Sequence, residues 1–181
     1  SVMSAHRLAP KNTMHLKLLI KLLNEIPNIL GGNKKLAKKK ANELFLIDPI
    51  QGFMIKGYLD ENDNNLASAK SNYMSAFDLI ENNFESYESF FKESERDLIF
   101  EIGSAVSNHK IFKDLGINAL KFYSKTYDFM DNYPLESVYY RLALIYLSKR
   151  DFKSSSKNLA KALTINPKFQ NALDFKEKHQ L

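Results

Sequence analysis

The chain has 181 residues, 44% of them hydrophobic, and a formal net charge of +5 at pH 7. It contains no cysteine, which excludes disulfide bonds, cysteine nucleophiles and cysteine-based zinc or iron–sulfur sites. No run approaches the roughly 20 apolar residues of a membrane-spanning helix, and the low glycine and proline content disfavours a turn-rich β fold.

The charges are segregated along the chain. Residues 1–59 have ten Lys and Arg against three acidic residues, residues 60–101 have three against eleven, and residues 102–181 have thirteen against seven. Nucleic-acid-binding domains more often have one continuous basic face, so nucleic acid is disfavoured as a partner. The distribution favours solvated helix faces, or separate patches that guide self-association. The N-terminus shows no signal sequence, and the compartment is left open.

Residues 13–49 are predicted to form the first helix pair. In the second helix of this pair, Ala37, Ala41 and Leu44 share one face, and Pro49 ends the pattern. The lysines of residues 34–40 then fall on the outer face, without interleaved aromatic residues that could stack on bases. The preceding Gly-Gly pair lacks the spacing of a phosphate-binding loop, so we interpret it as a turn.

Residues 50–81 are predicted to form a second pair with a closer helix–helix contact. Helices approach closely where their contact residues are small. The residues expected at this contact are Phe53 and Gly57 on the first helix, and Ala69, Tyr73 and Ala76 on the second. The Asp- and Asn-rich turn between them lacks the glycine and the final acidic residue of a calcium-binding loop.

Residues 82–95 fit neither pair. Their aromatic residues, Phe84, Tyr87, Phe90 and Phe91, are spaced to form one helical face. We expect a helical insertion that packs on the rest of the chain, with an exposed aromatic surface as the alternative. Residues 96–130 follow as a looser helix pair, with Gly103 and Gly116 at its predicted contact.

Residues 136–167 show the clearest pattern. Two apolar helical runs flank a polar turn at residues 148–151, Asp151 is a predicted N-cap, and Pro167 follows the second run. The residues expected to pack are Tyr139, Leu142, Ala143 and Tyr146 on the first helix, and Ser155, Leu159 and Ala162 on the second. Residues 168–181 are predicted to form a solvated capping helix.

This spacing resembles the tetratricopeptide repeat, a helix–turn–helix unit of about 34 residues. The tryptophan, Leu-Gly and tyrosine positions of that repeat are similar to Tyr139, Leu142-Ala143 and Tyr146 here, and its Ala, Phe, Ala and Pro positions to Ser155, Leu159, Ala162 and Pro167. Several positions are substituted, as in a divergent member. Residues 26–58 also resemble a variant repeat of bacterial proteins in this family.

The resemblance implies an all-α fold, an α-solenoid of stacked antiparallel helix pairs that form a superhelix with a C-terminal capping helix. It would be a single domain over residues 1–181. The expected units are 13–49, 50–81, 96–130 and 136–167, with an insertion at 82–95 and a cap at 168–181.

The resemblance also places the first helix of each pair on the concave side of the array. Each of these helices has a stripe that does not face its own partner helix. The stripes are Gln51, Met54 and Tyr58; Asp97, Phe100 and Ser104; and Ser137, Tyr140 and Leu144. Aromatic anchors with few fixed charges would suit a peptide-binding groove. The alternative is that some of these side chains are buried, or covered by residues 82–95.

No residues suggest catalysis. The four histidines are scattered without metal-ligand spacing, and no Ser or Thr lies in a nucleophile motif. We therefore expect no catalytic residue, metal or cofactor. The leading hypothesis is a non-catalytic scaffold that binds a protein or peptide in its groove. The alternatives are a small-molecule-binding accessory protein of a bacterial uptake system, and an oligomerisation or regulatory subunit.

Overall fold

A computed structural model describes residues 12–179, which form ten α-helices and no strand. The helices are α1 (Thr13–Glu25), α2 (Lys34–Ile47), α3 (Pro49–Asn62), α4 (Leu66–Asn83), α5 (Tyr87–Glu93), α6 (Arg96–His109), α7 (Lys113–Lys125), α8 (Leu135–Ser148), α9 (Phe152–Ile165) and α10 (Gln170–His179). A 3₁₀ turn at Asn28–Leu30 lies between α1 and α2. The predicted all-α fold is confirmed.

Short polar side chains determine where several helices begin. The side chains of Asn33, Asp48 and Asp151 each accept a hydrogen bond from the backbone amide three residues later, at 2.9, 3.0 and 2.9 Å. Each bond satisfies an amide that has no partner within its own helix. Pro49 occupies the first position of α3, where its missing N–H costs nothing. The predicted N-cap at Asp151 is therefore confirmed.

Successive helices pack as antiparallel pairs, as α8 and α9 show. Ala143 contacts Ser155, Tyr139 lies beneath the Lys161 ammonium, and Glu136 accepts a hydrogen bond from Asn166. Residues with higher numbers on α9 therefore contact residues with lower numbers on α8, which is the pattern of two antiparallel helices. The turn at residues 149–151 and the helix end before Pro167 lie where the sequence predicted them.

The chain divides into two compact units, with the boundary between Asn82 and Asn83. In the first unit, buried side chains of α1, α2 and α3 form one core cluster: Leu16, Leu19, Ile20, Leu23, Ala37, Ala41, Leu44, Ile55 and Leu59. The prediction of a single domain over residues 1–181 stays a prediction, since residues 1–11 and 180–181 lie outside the described structure.

In the second unit, the predicted insertion forms the short helix α5, which packs against α7. Phe90 and Phe91 are buried, and the Phe91 ring lies 5.5 Å from the ring of Phe122 on α7. Phe84 makes an edge-to-face contact with Phe90 at 4.8 Å. The aromatic face of residues 84–91 is therefore packed inside this unit, and the alternative of an exposed aromatic surface is corrected.

Candidate functional site: a cleft on helix α8

The predicted contact between α8 and α9 is confirmed at atomic detail. The Ser155 hydroxyl donates a hydrogen bond of 2.9 Å to the carbonyl oxygen of Ala143, and both residues are fully buried. Such a bond requires the backbone of α8 to lie directly against the Ser155 side chain. Leu159 and Ala162 complete the buried face of α9, and Leu142 that of α8.

Glycines make the corresponding contacts in the two earlier helix pairs. A Cβ atom at Gly57 would lie 2.6 Å from the ring of Tyr73, and one at Gly103 would lie 2.3 Å from Cγ of Leu120. Ala69 and Ala76 are fully buried on α4. The remaining packing positions are partly buried or exposed: Phe53 contacts Phe45 edge-on, Tyr139 and Tyr146 each lie beneath a lysine ammonium, and Pro167 is exposed.

A cleft of about 540 Å³ opens between α6, α8 and α10 of the second unit; we call it the α8 cleft. Its volume lies within the range of ligand pockets. Its apolar lining consists of Tyr140, Leu144, Leu147 and Phe175, and its polar lining of Ser107, Lys110, Ser148, Asn171, Asp174, Lys178 and His179. Two of the nine predicted groove residues, Tyr140 and Leu144, therefore lie in this cleft.

The capping helix holds Tyr140 in place. The Tyr140 ring makes edge-to-face contacts with the rings of Phe169, at 5.4 Å, and Phe175, at 5.9 Å. Burial raises the pKa of the Tyr140 phenol above its usual value, so this group stays neutral near pH 7. One side of the ring is thus fixed by α10, and the other remains part of the cleft lining.

Two lysines give the cleft a basic rim. Lys110 ends α6 with a left-handed backbone (φ 57°), and Lys178 lies in the last turn of α10. Both side chains are exposed, and neither has an ion-pair partner among residues 12–179. Asp174, the carboxylate of the lining, accepts a hydrogen bond of 2.6 Å from Gln170. Two lysines against this one carboxylate leave the lysine and aspartate charges of the lining net positive beside the apolar floor.

The other groove residues of the second unit differ in exposure. Asp97, Ser104 and Ser137 are partly exposed, and Asp97 accepts hydrogen bonds from Asn132. Phe100 is only 4% exposed, because the ring of Tyr133 stacks on it at 3.9 Å and the Arg141 guanidinium lies 5.5 Å from it. The assignment of Phe100 as an exposed anchor is corrected: this side chain belongs to the core.

In the first unit, the stripe on α3 is mostly buried. Gln51 and Met54 are 6% and 5% exposed, and the Gln51 amide donates to Asp48 at 3.1 Å. Tyr58 is partly exposed, and its hydroxyl donates to Glu25 on α1. We therefore no longer assign Gln51 and Met54 to a binding surface, because their side chains are packed within the structure.

The contribution of α10 to the cleft differs from the prediction. The lysines and glutamines of residues 168–181 predicted a solvated cap, but one face of α10 is packed. Phe169, Ala172 and Phe175 recur every three residues, and all three belong to the apolar cluster between α8, α9 and α10. This spacing was the signal that one face of the last helix is packed.

The basic run of residues 34–40 makes ion pairs within the first unit. Lys34 and Lys38 each approach a different oxygen of Asp63, at 2.8 and 2.7 Å, and Lys40 pairs with Glu43 at 2.6 Å. The two lysines lower the pKa of Asp63 to about 2. Lys38 also lines a smaller cleft of about 310 Å³ beside Lys56, Asp60 and Asn72. Three of the five lysines are therefore already paired with carboxylates.

Within residues 12–179, no three His, Asp or Glu residues lie close enough together to hold a metal ion. In the same range, no helix combines the length and the apolar character that a membrane span requires.

Comparison with known proteins supports the repeat pattern. Residues 136–169, which contain α8, the turn and α9, match the family model of the tetratricopeptide repeat. No curated protein matches the chain. The matched segment carries the Ala143–Ser155 contact and four residues of the α8 cleft lining, Tyr140, Leu144, Leu147 and Ser148. The comparison therefore identifies one tetratricopeptide repeat in the chain, at residues 136–169.

Proposed function

We propose that this protein is a non-catalytic scaffold that binds a peptide segment of a protein partner in the α8 cleft. Tetratricopeptide repeats generally mediate protein–protein interaction. The observation that supports this site is the combination of an aromatic and aliphatic floor with two unpaired lysines at its rim. Interfaces of this kind concentrate their energy in a few apolar anchors that are excluded from water.

The lining favours a segment with an apolar side chain next to a carboxylate. Leu144 and Phe175 would contact the apolar group, while Lys110 and Lys178 would attract the carboxylate. Charges at a rim act mainly on the association rate, whereas a buried apolar anchor acts mainly on the dissociation rate. The two groups of residues therefore have separable kinetic roles.

The two alternatives have less support. A small-molecule carrier would need a cover over its site, but α5, within residues 82–95, packs on α7 and lines neither of the two clefts described above. A purely oligomeric role remains a second hypothesis, because the cleft could receive another copy of the chain.

The proposal can be tested with a phage-displayed library of random peptides panned against the wild-type protein. We expect enriched peptides to combine an apolar residue with Asp or Glu. Leu144→Ala should weaken the enriched peptides by more than about 1 kcal/mol, the usual threshold for an anchor. Leu163→Ala is the matched control, since Leu163 packs on the same cluster from α9 but lies outside the cleft lining.

The rim lysines are tested by charge reversal. Lys110→Glu with Lys178→Glu should slow association and reduce its dependence on salt, because the attraction for acidic residues is lost. Lys153→Glu, on the exposed start of α9, reverses one charge without altering the cleft, and is the matched control for each single reversal, Lys110→Glu or Lys178→Glu. If Leu163→Ala and Lys153→Glu reduce binding as much as the cleft variants, the ligand binds elsewhere and the proposal fails.

A further inference from the structure

The connection between α7 and α8 presents two large apolar side chains to solvent. We call this segment, residues 126–134, the Phe129 loop. Phe129 is 86% exposed and Met130 is 75% exposed. Two adjacent apolar side chains of this size and exposure are unusual in a connecting turn, which is normally built from small and polar residues, and they indicate an interaction surface. Neither of them lines the α8 cleft.

The base of the Phe129 loop is held by a network around Arg96. The guanidinium donates to both carboxylate oxygens of Asp131, at 3.0 and 2.6 Å, and also to Thr126 and to the carbonyl of Tyr123. The Asp131 side chain is 5% exposed. A bidentate, partly buried ion pair of this kind fixes the relative orientation of the two side chains in addition to pairing their charges.

The tip of the loop is also shaped by its own hydrogen bonds. The Asp128 carboxylate accepts a bond of 2.9 Å from the Met130 amide, and the Asp128 amide donates to Asp131 at 3.0 Å. Asp128 itself is exposed, so a carboxylate stands beside the two apolar side chains. The loop is therefore a fixed projection whose chemistry is apolar with an adjacent negative charge.

This chemistry matches what the α8 cleft of the same chain would accept. The cleft combines the apolar surfaces of Leu144 and Phe175 with the ammonium groups of Lys110 and Lys178. The Phe129 loop precedes the first turn of α8, whereas Leu144 and Leu147 lie in its last turns, roughly 15 Å further along the axis at 1.5 Å per residue. A loop anchored at Asp131 cannot fold back into its own cleft.

We propose that the Phe129 loop of one copy docks into the α8 cleft of a second copy. Phe129 and Met130 would contact Leu144 and Phe175, and Asp128 would lie between the two lysines. This inference rests on the proposed function, because it uses the same cleft. The two surfaces are different, so each contact leaves one loop and one cleft unused, and association proceeds head to tail.

Sedimentation velocity over a range of protein concentrations tests the proposal. We expect the wild-type sedimentation coefficient to rise with concentration, and Phe129→Asp to abolish the rise. Phe152→Asp is the matched control, because Phe152 is an exposed aromatic residue at the start of α9 that belongs to neither surface. A wild-type protein that stays monomeric, or equal losses in both variants, would overturn the proposal.

A mixing experiment separates loop from cleft. The Phe129→Asp copy keeps its cleft, and the Lys110→Glu, Lys178→Glu copy keeps its loop, so each alone should be monomeric. Mixed in equal amounts, they should form a one-to-one dimer that grows no further, because only one complementary pair of surfaces remains. A mixture that stays monomeric while the wild type associates overturns the proposal.

The outcomes distinguish this inference from the proposed function. Library peptides that bind the cleft of a monomeric wild-type protein would overturn self-docking and leave peptide binding intact. If the wild type instead binds vesicles containing anionic lipid and Phe129→Asp does not, the loop is a membrane contact, and self-docking is overturned as well. The exposed Asp128 carboxylate disfavours that second outcome.

Discussion

Replacing Gly103 by alanine should reveal how closely α6 and α7 pack. Alanine is favoured over glycine inside a helix by about 1 kcal/mol, so an unhindered site would gain stability. At Gly103 the new Cβ would lie 2.3 Å from Cγ and 2.5 Å from Cδ2 of Leu120, which is fully buried. Overpacking of this kind costs about 1–3 kcal/mol, so we expect a net loss of up to about 2 kcal/mol.

The same substitution should have the opposite sign once Leu120 is truncated. Leu120→Ala alone should cost about 2–5 kcal/mol, since it deletes buried atoms and leaves a cavity. It also removes the three atoms nearest to the new Cβ. In the Leu120→Ala background, Gly103→Ala should therefore stabilise the protein by about 1 kcal/mol, the helix-propensity term alone.

Urea denaturation followed by far-ultraviolet circular dichroism measures this cycle. The informative quantity is the coupling free energy between the two substitutions. It is large when the two residues are in contact and close to zero when they are far apart. Equal effects of Gly103→Ala in both backgrounds would refute the close approach of α6 and α7. A stabilising effect in the wild-type background would show that Leu120 moves aside without cost.

Three further substitutions test other contacts. Phe100→Ala should cost about 3–5 kcal/mol in urea denaturation, as for a core aromatic residue, while peptide affinity of the folded fraction stays unchanged in calorimetry. Asp63→Asn should make the loss of thermal stability between about pH 4 and pH 2 smaller. Lys34 and Lys38 lower the pKa of Asp63 in the folded protein to about 2, from about 3.9 in the unfolded chain. The stability contributed by this carboxylate is therefore present above about pH 4 and disappears as it becomes protonated. Arg150→Gly should raise the melting temperature, with a gain of up to about 1 kcal/mol, because Arg150 is exposed in a left-handed turn (φ 61°) that glycine adopts without strain.

The helix pairs could be predicted because their signals are local. A proline, an aspartate cap and small residues at helical spacing are all readable within about 34 residues. The contact of Ala143 with Ser155 spans only 12 positions and was predicted from spacing alone. Such short-range rules determine which residues face each other within a pair, and the structure agrees with them.

The Phe129 loop could not be predicted, because its geometry depends on distant residues. Arg96 and Asp131 are 35 positions apart, and neither belongs to a periodic pattern. Their pairing determines which side chains of residues 126–134 are buried and which project outward. No role was therefore predicted for Phe129 or Met130, the two most exposed large apolar side chains of this connection.

Phe100 and Tyr140 show why register alone does not decide exposure. Both were placed on the inner stripe of their helices by the same count along the repeat. Tyr133, at the end of the Phe129 loop, stacks flat on Phe100 and buries it, whereas Phe169 and Phe175 meet Tyr140 edge-on.

In the second unit, the segment that follows a helix pair therefore decides whether an inner aromatic residue is buried in the core or lines the cleft. A connection long enough to return over the helix seals the stripe, while a short connection into the next helix leaves it open. In this protein the connection before α8 has nine residues, and the one before α10 has four. The lengths of the connections, rather than the repeats themselves, thus bury Phe100 and leave Tyr140 in the lining of a cleft, where we expect the second unit to bind its ligand.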